Sequence, residues 1–186
     1  MNRYGVMMRT FLMAAFAVGS LVGVQLAVAA DAAKLEQDAR ASLNKLYSEN
    51  AGAKALGAKA KGILVFPDVR KAGLILGGQG GDGVLLVNNK LTGYYNTAAV
   101  SVGLQAGAQS FGYVLFFMSD AVFKGFLNSS NFEIGVGPNI VVIDSGAAKD
   151  INTLTAKADV YAIIFDQKGL MAGVGIQGSK ISKIKP

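Results

Sequence analysis

Between Asp31 and Ser48 the apolar residues Leu35, Ala39, Leu43 and Leu46 recur at steps of four, four and three, with Lys34, Asp38, Arg40 and Lys45 falling between them. This is the stripe of an amphipathic helix. Asn50 and Gly52 interrupt it. A second Ala/Lys-rich stretch from about Ala53 to Lys61 keeps Leu56, Ala60 and Ile63 on one face and predicts another helix, which Gly57 weakens. After Gly62 the period changes, because Ile63 to Phe66 is a short apolar run rich in β-branched and aromatic residues that Pro67 stops. From there the chain reads as strands parted by Gly, Asn and Asp turns.

The expected strands are Gly73 to Gly81, Val84 to Val87, Leu91 to Tyr95, Val100 to Ser110, Gly112 to Met118, Phe132 to Gly137, Ile140 to Asp144, Val160 to Asp166 and Leu170 to Gly178. Asn88-Asn89 and Gln167-Lys168-Gly169 carry hairpin signals. From Val100 to Gln109 apolar residues alternate with small or polar ones, which predicts a half-buried strand. Val114 to Met118 and Tyr161 to Phe165 are apolar on both faces and belong inside the core. Asp120 to Asn128 reads as one short helix capped by Ser119 or Asp120, and Gly146 to Lys157 as a loop with a helical turn. The fold class is therefore α+β: N-terminal helices packed on a glycine-rich, mostly antiparallel β-sheet or partly closed barrel.

Composition narrows the chemistry. The 186 residues include no cysteine and no histidine, which removes disulfides, thiolate nucleophiles, the commonest general base and the commonest zinc ligand. The expectation is a protein that is not an enzyme and has no cofactor or metal. Arg3 and Arg9 precede a stretch from Thr10 to Ala30 without any charge, and Ala27-Val28-Ala29 offers small residues for signal peptidase. Residues 1–29 thus read as a secretory leader cleaved before Ala30 or Asp31, the alternative being an uncleaved anchor of about the ~20 residues a bilayer helix requires. Residues 30–186 then form a single exported domain, periplasmic or secreted, with 30–61 helical and 62–186 mainly β.

The formal net charge of +6 is unevenly spread, since Lys54, Lys59, Lys61, Arg70 and Lys71 stand against the single carboxylate Asp68. Lysines beside an apolar helical face can hold a segment at an anionic membrane surface, but the residues by themselves favour an ordinary solvated face packed on the sheet. No continuous basic stripe invites nucleic acid. Gly78-Gln79-Gly80-Gly81-Asp82-Gly83 and Gly173-Val174-Gly175-Ile176-Gln177-Gly178 both fit a dinucleotide glycine pattern, but neither opens a helix. Their glycines are read as places where strands turn or approach a neighbouring backbone closely. The carboxylates Asp120, Glu133, Asp144, Asp150, Asp159 and Asp166 have no paired spacing and read as turn or cap residues.

Six stretches in order resemble the SYLF domain: Ala60 to Pro67, Lys71-Ala72-Gly73, Gly80 to Leu85, Gly103 to Gln109, Gly135-Val136-Gly137-Pro138 and Lys168 to Val174. The likeness runs from about Lys34 to the end. Where the family often carries Trp-Ser-x-Pro, this chain has Tyr95-Asn96-Thr97-Ala98. The resemblance implies binding without catalysis, to phospholipids and phosphoinositide-like head groups, through an amphipathic N-terminal helix. On this chain that helix is Asp31 to Ser48 with its continuation to Lys61. The implied contacts are Leu35, Leu43 and Leu46 for acyl chains and Lys34, Arg40, Lys45, Lys54, Lys59 and Lys61 for head groups. Actin, a partner of eukaryotic members, is not expected by an exported protein in its own cell. The rival readings are a small integral outer-membrane barrel and a structural or antigenic surface protein without a ligand.

Overall fold

The structure, a computed structural model, describes residues 31–73, 76–102, 107–150, 157–169 and 175–185. The expected leader over 1–29 lies outside them, as do residues 170–174 of the expected strand Leu170 to Gly178. Residues 31–49 are helical (α1), and Leu35–Lys185 form one compact unit. After α1 come α2 (Ala51–Gly57), β1 (Gly62–Gly73), β2 (Leu76–Val87), β3 (Lys90–Val102) and β4 (Gly107–Phe117). The chain continues through α3 (Asp120–Asn128), β5 (Phe132–Glu133), β6 (Ile140–Asp144), a 3₁₀ turn (Ala147–Asp150), β7 (Val160–Gly169) and β8 (Lys180–Ile184).

The eight strands form one sheet in the order β5-β8-β3-β2-β1-β4-β7-β6, antiparallel except for the β6 and β7 pair. The sheet is curled into a half-barrel, so the α+β expectation holds. Its curl shows in one contact: Tyr113 on β4 donates to Thr97 Oγ1 on β3 at 2.7 Å although β1 and β2 lie between them. Burial pushes the Tyr113 phenol pKa up, the hydrogen bond opposing it.

Strand alternation divides the core in two. On the concave side Leu64, Phe66, Tyr113, Leu115, Phe117 and Ile164 meet α3, whose Phe126 ring lies 4.7 Å from that of Phe117 and 5.0 Å from that of Tyr95. On the convex side Val65, Val84, Leu86, Val114, Phe116 and Ile163 are covered by Ala39, Leu43 and Leu46 of α1 and Leu56 of α2. Val114–Phe117 and Tyr161–Phe165 are buried throughout, which is why those runs show no alternation. Asn50 links the helical layer to the sheet: its Oδ1 accepts from the Ala53 N–H at 2.8 Å as the cap of α2, and its Nδ2 donates to the Ser145 carbonyl at 2.6 Å.

Several boundaries move. Asn88 and Asn89 both take positive φ (50° and 62°) and join β2 to β3, so that hairpin is where it was expected. Gln167-Lys168-Gly169 is no hairpin, because Lys168 and Gly169 pair with Ser110 and Gln109 inside the sheet. The irregularity falls instead at Asp166, with φ of 51°. The expected strand Val100 to Ser110 is divided between β3 and β4, which lie three positions apart in the sheet, so the pattern ran across two strands. The breaks expected between Gly81 and Val84 and between Tyr95 and Val100 are absent, since β2 and β3 run through them. The second helix stops at Gly57 rather than Lys61, Phe132 to Gly137 shortens to β5, and residues 175–178 are not strand. Helix α3 falls on its expected span with Ser119 as cap, and β8 carried no sequence signal that separated it from the polar tail.

Within the glycine pattern from Gly78 to Gly83, backbone approach explains Gly81 and Gly83. A Cβ at Gly83 would stand 2.5 Å from the Val65 carbonyl oxygen, and one at Gly81 2.5 Å from that of Asp68, whereas Gly80 has nothing nearer than 3.5 Å. Gly83→Ala is therefore expected to lower unfolding free energy by about 1–3 kcal/mol through overpacking. Gly80→Ala should leave it unchanged or raise it by ~0.4–1 kcal/mol, and urea denaturation of the two variants checks the contrast.

Tyr47 of α1 stacks on Phe116 with ring centroids 6.3 Å apart, and its buried hydroxyl has no hydrogen-bond partner. Burial pushes its pKa up to about 12. The folded state thus holds the phenol proton more tightly than the unfolded chain, so this contribution to stability is complete below pH ~10 and is lost as pH rises towards 12. Tyr47→Phe should be neutral to stabilising at pH 7 and should flatten the alkaline fall, as read from urea midpoints across that window.

Candidate functional site

The residues singled out by sequence fall into two groups. Leu43 is 6% and Leu46 3% exposed, and Leu35 is half-buried against the same cluster, so as α1 is docked these side chains belong to the core rather than to an acyl phase. The cationic members stay at or near the surface. Arg40 pairs with Glu36 at 2.8 Å and donates to Asn89 on the β2–β3 turn. Lys45 pairs with Asp166, a hydrogen bond that raises its pKa. Lys61 pairs with Asp120 at 3.0 Å. Lys34, Lys54 and Lys59 are exposed, and neither Lys54 nor Lys59 makes an ion pair among the described residues. The apolar and cationic halves of the helical stripe thus have different tasks: the leucines fasten the helix and the lysines face water.

The carboxylates expected at turns or caps divide between turns and ion pairs. Asp144 accepts from the Gly146 N–H at 2.8 Å and from Gln167 at 2.6 Å, while Asp120 and Asp166 hold lysines. Among the described residues no group of His, Cys, Asp and Glu could hold a metal ion.

A second feature joins residues from three neighbouring strands. Where β1, β4 and β7 run side by side, Arg70, Ser110 and Lys168 stand in one in-register rung of the sheet. This rung borders an open cleft of about 570 Å³ whose walls also include Asp68, Lys71 and Gln109. Asp68 pairs with Arg70 at 3.0 Å, and neither Lys71 nor Lys168 makes an ion pair among the described residues. Lys71 and Gln109, directly opposite one another, are each only 7% exposed, and the Gln109 Oε1 has no hydrogen-bond partner among the described residues. Sequence carried half of this signal, since Arg70 and Lys71 belong to the charge excess after Lys54. Ser110 and Lys168 join them only through strand pairing.

A family model described as "Ysc84: Las17-binding protein actin regulator" matches residues 98–185, from the second half of β3 to the residue after β8. No curated protein matches the chain. The SYLF family is a lipid- and actin-binding one and is not known as enzymatic. Three of the six resembling stretches lie inside the matched span and the other three stand in order before it, so the match supports the resemblance to the SYLF (Ysc84) domain family.

Proposed function

We propose that this is a non-enzymatic phospholipid-binding protein of the cell envelope or exported fraction, meeting anionic membranes with its lysine-bearing N-terminal helical region. The observation that carries the reading is the division of labour just described, in which Lys54 and Lys59 remain exposed without an ion pair among the described residues while the leucines are buried. Lysines so placed are attracted to anionic head groups, an attraction that salt screens. Leu43 and Leu46 are not among the contacts, because exposing them would undo the convex core. The family's lipid association supports the same reading. Its actin association is not carried over, since an exported protein meets no actin in its own cell.

An integral barrel is less well supported. Among the described residues the sheet ends on β5 and β6 instead of closing on itself.

The test is co-sedimentation with vesicles of graded phosphatidylglycerol content. Binding should rise with anionic lipid and fall with salt, and Lys54→Ala with Lys59→Ala should weaken it by roughly fivefold per lysine. Failure of the unaltered protein to pellet with the most anionic vesicles would overturn the reading. Leu46→Ala should cost about 2–5 kcal/mol of stability in urea unfolding, yet leave the affinity of the folded fraction unchanged.

A further inference from the structure

Burial reverses its polarity at the end of the sheet away from the Asn88–Asn89 turn. On β1 the charged Lys71 is buried and Ala72 is exposed, and on β4 Gln109 is buried and Ala108 is exposed. On β3 Thr97 is buried while Val100 is 83% exposed. On β2 Gln79 donates to the buried Ser179 at 2.9 Å while Leu76 is 68% exposed. Alternation from Val69 and Phe111 puts Lys71 and Gln109 on the concave side, so the apolar set is the convex one. Strand register places Ala108, Ala72, Gly78 and Val100 in a single convex rung, with Leu76 two residues along β2 from Gly78.

Apolar side chains outward and polar ones inward is how a strand faces hydrocarbon, not water. The next convex rung, about 7 Å away, holds Lys168, Ser110 and Arg70 of the cleft, and continues through Gly80 and Ala98 to Lys180. An apolar edge backed by a cationic row matches the order in which a membrane presents acyl chains and phosphates. Two carboxylates temper the row, Asp68 on Arg70 and Glu133 opposite Lys180. The positive excess therefore lies at the cleft, which Lys71 also lines. The rung also adjoins the helical layer, because Lys45 of α1 pairs with Asp166, two residues before Lys168.

We propose that this free end of the convex face is a docking surface for an anionic phospholipid bilayer. Leu76 and Val100 enter the head-group boundary while Arg70, Ser110 and Lys168 hold a lipid phosphate in the cleft. The proposal rests on the lipid-binding reading above and supplies the apolar component that the buried leucines of α1 do not.

The native chain has no cysteine, so a single introduced thiol takes an environment-sensitive fluorophore at one place only. Val100→Cys and Lys59→Cys are labelled and mixed with vesicles of phosphatidylglycerol and phosphatidylcholine in equal parts. The label at 100 should shift to the blue, and more than the label at 59. In parallel, Arg70→Ala with Lys168→Ala should weaken co-sedimentation by roughly thirtyfold, and Leu76→Asp with Val100→Asp at least tenfold. These positions are exposed, and unchanged circular dichroism melting verifies that the variants fold. Normal vesicle binding by both double variants, with no blue shift at 100, overturns the surface while leaving lipid binding intact. Absence of binding by the unaltered protein overturns both.

Discussion

The fold depends on the double burial of its central strands. Along β1, β4 and β7, consecutive residues such as Val114, Leu115, Phe116 and Phe117 are all shielded from water, so each face of the sheet needs its own cover. The curl of the sheet, closed by the phenylalanines of α3, covers one. The N-terminal helices cover the other, and this fixes what their leucines can do. A helix whose apolar stripe completes a core cannot also present that stripe to lipid without exposing Val65, Val114 and Phe116.

That constraint applies along only part of each strand. The helical layer packs on Val65, Val84, Leu86, Val114 and Phe116, while Ala72, Ala108 and Val100 on the same face are open to solvent. The same strands thus serve as core at one end and as an accessible surface at the other. On the open end the polar residues turn inward, where Gln79 finds Ser179 and Tyr113 finds Thr97, while Gln109 finds no partner for its oxygen. Buried polar groups are ordinarily matched, so the Gln109 oxygen, without a partner among the described residues, marks a place where stability is not the whole account.

Glycine gives the sheet its tight approaches. Gly81 and Gly83 let β2 lie against β1, where a side chain would meet the carbonyls of Asp68 and Val65, and Gly112 leaves room for the Phe165 ring. Within the glycine pattern that superficially suits a nucleotide, Gly81 and Gly83 record close packing between neighbouring strands.

Local pattern was enough for α1, for the Asn88–Asn89 turn, for α3 and its serine cap, and for the two strands apolar on both faces, because each is fixed by interactions within a few residues. It was also enough for the α+β class and for the stretches that resemble the SYLF family. It failed where polarity or position depends on distant partners. The apolar alternation around Val100 to Gln109 spans two strands that pair with different neighbours, and its polar phase is the buried one at Gln109. The helix stripe reads the same whether its leucines face a sheet or a bilayer, since hydrophobic spacing specifies a face but not what covers it. Only the tertiary structure committed Leu43 and Leu46 to the core and brought Arg70, Ser110 and Lys168 together, because strand register joins residues that the chain keeps up to 98 positions apart.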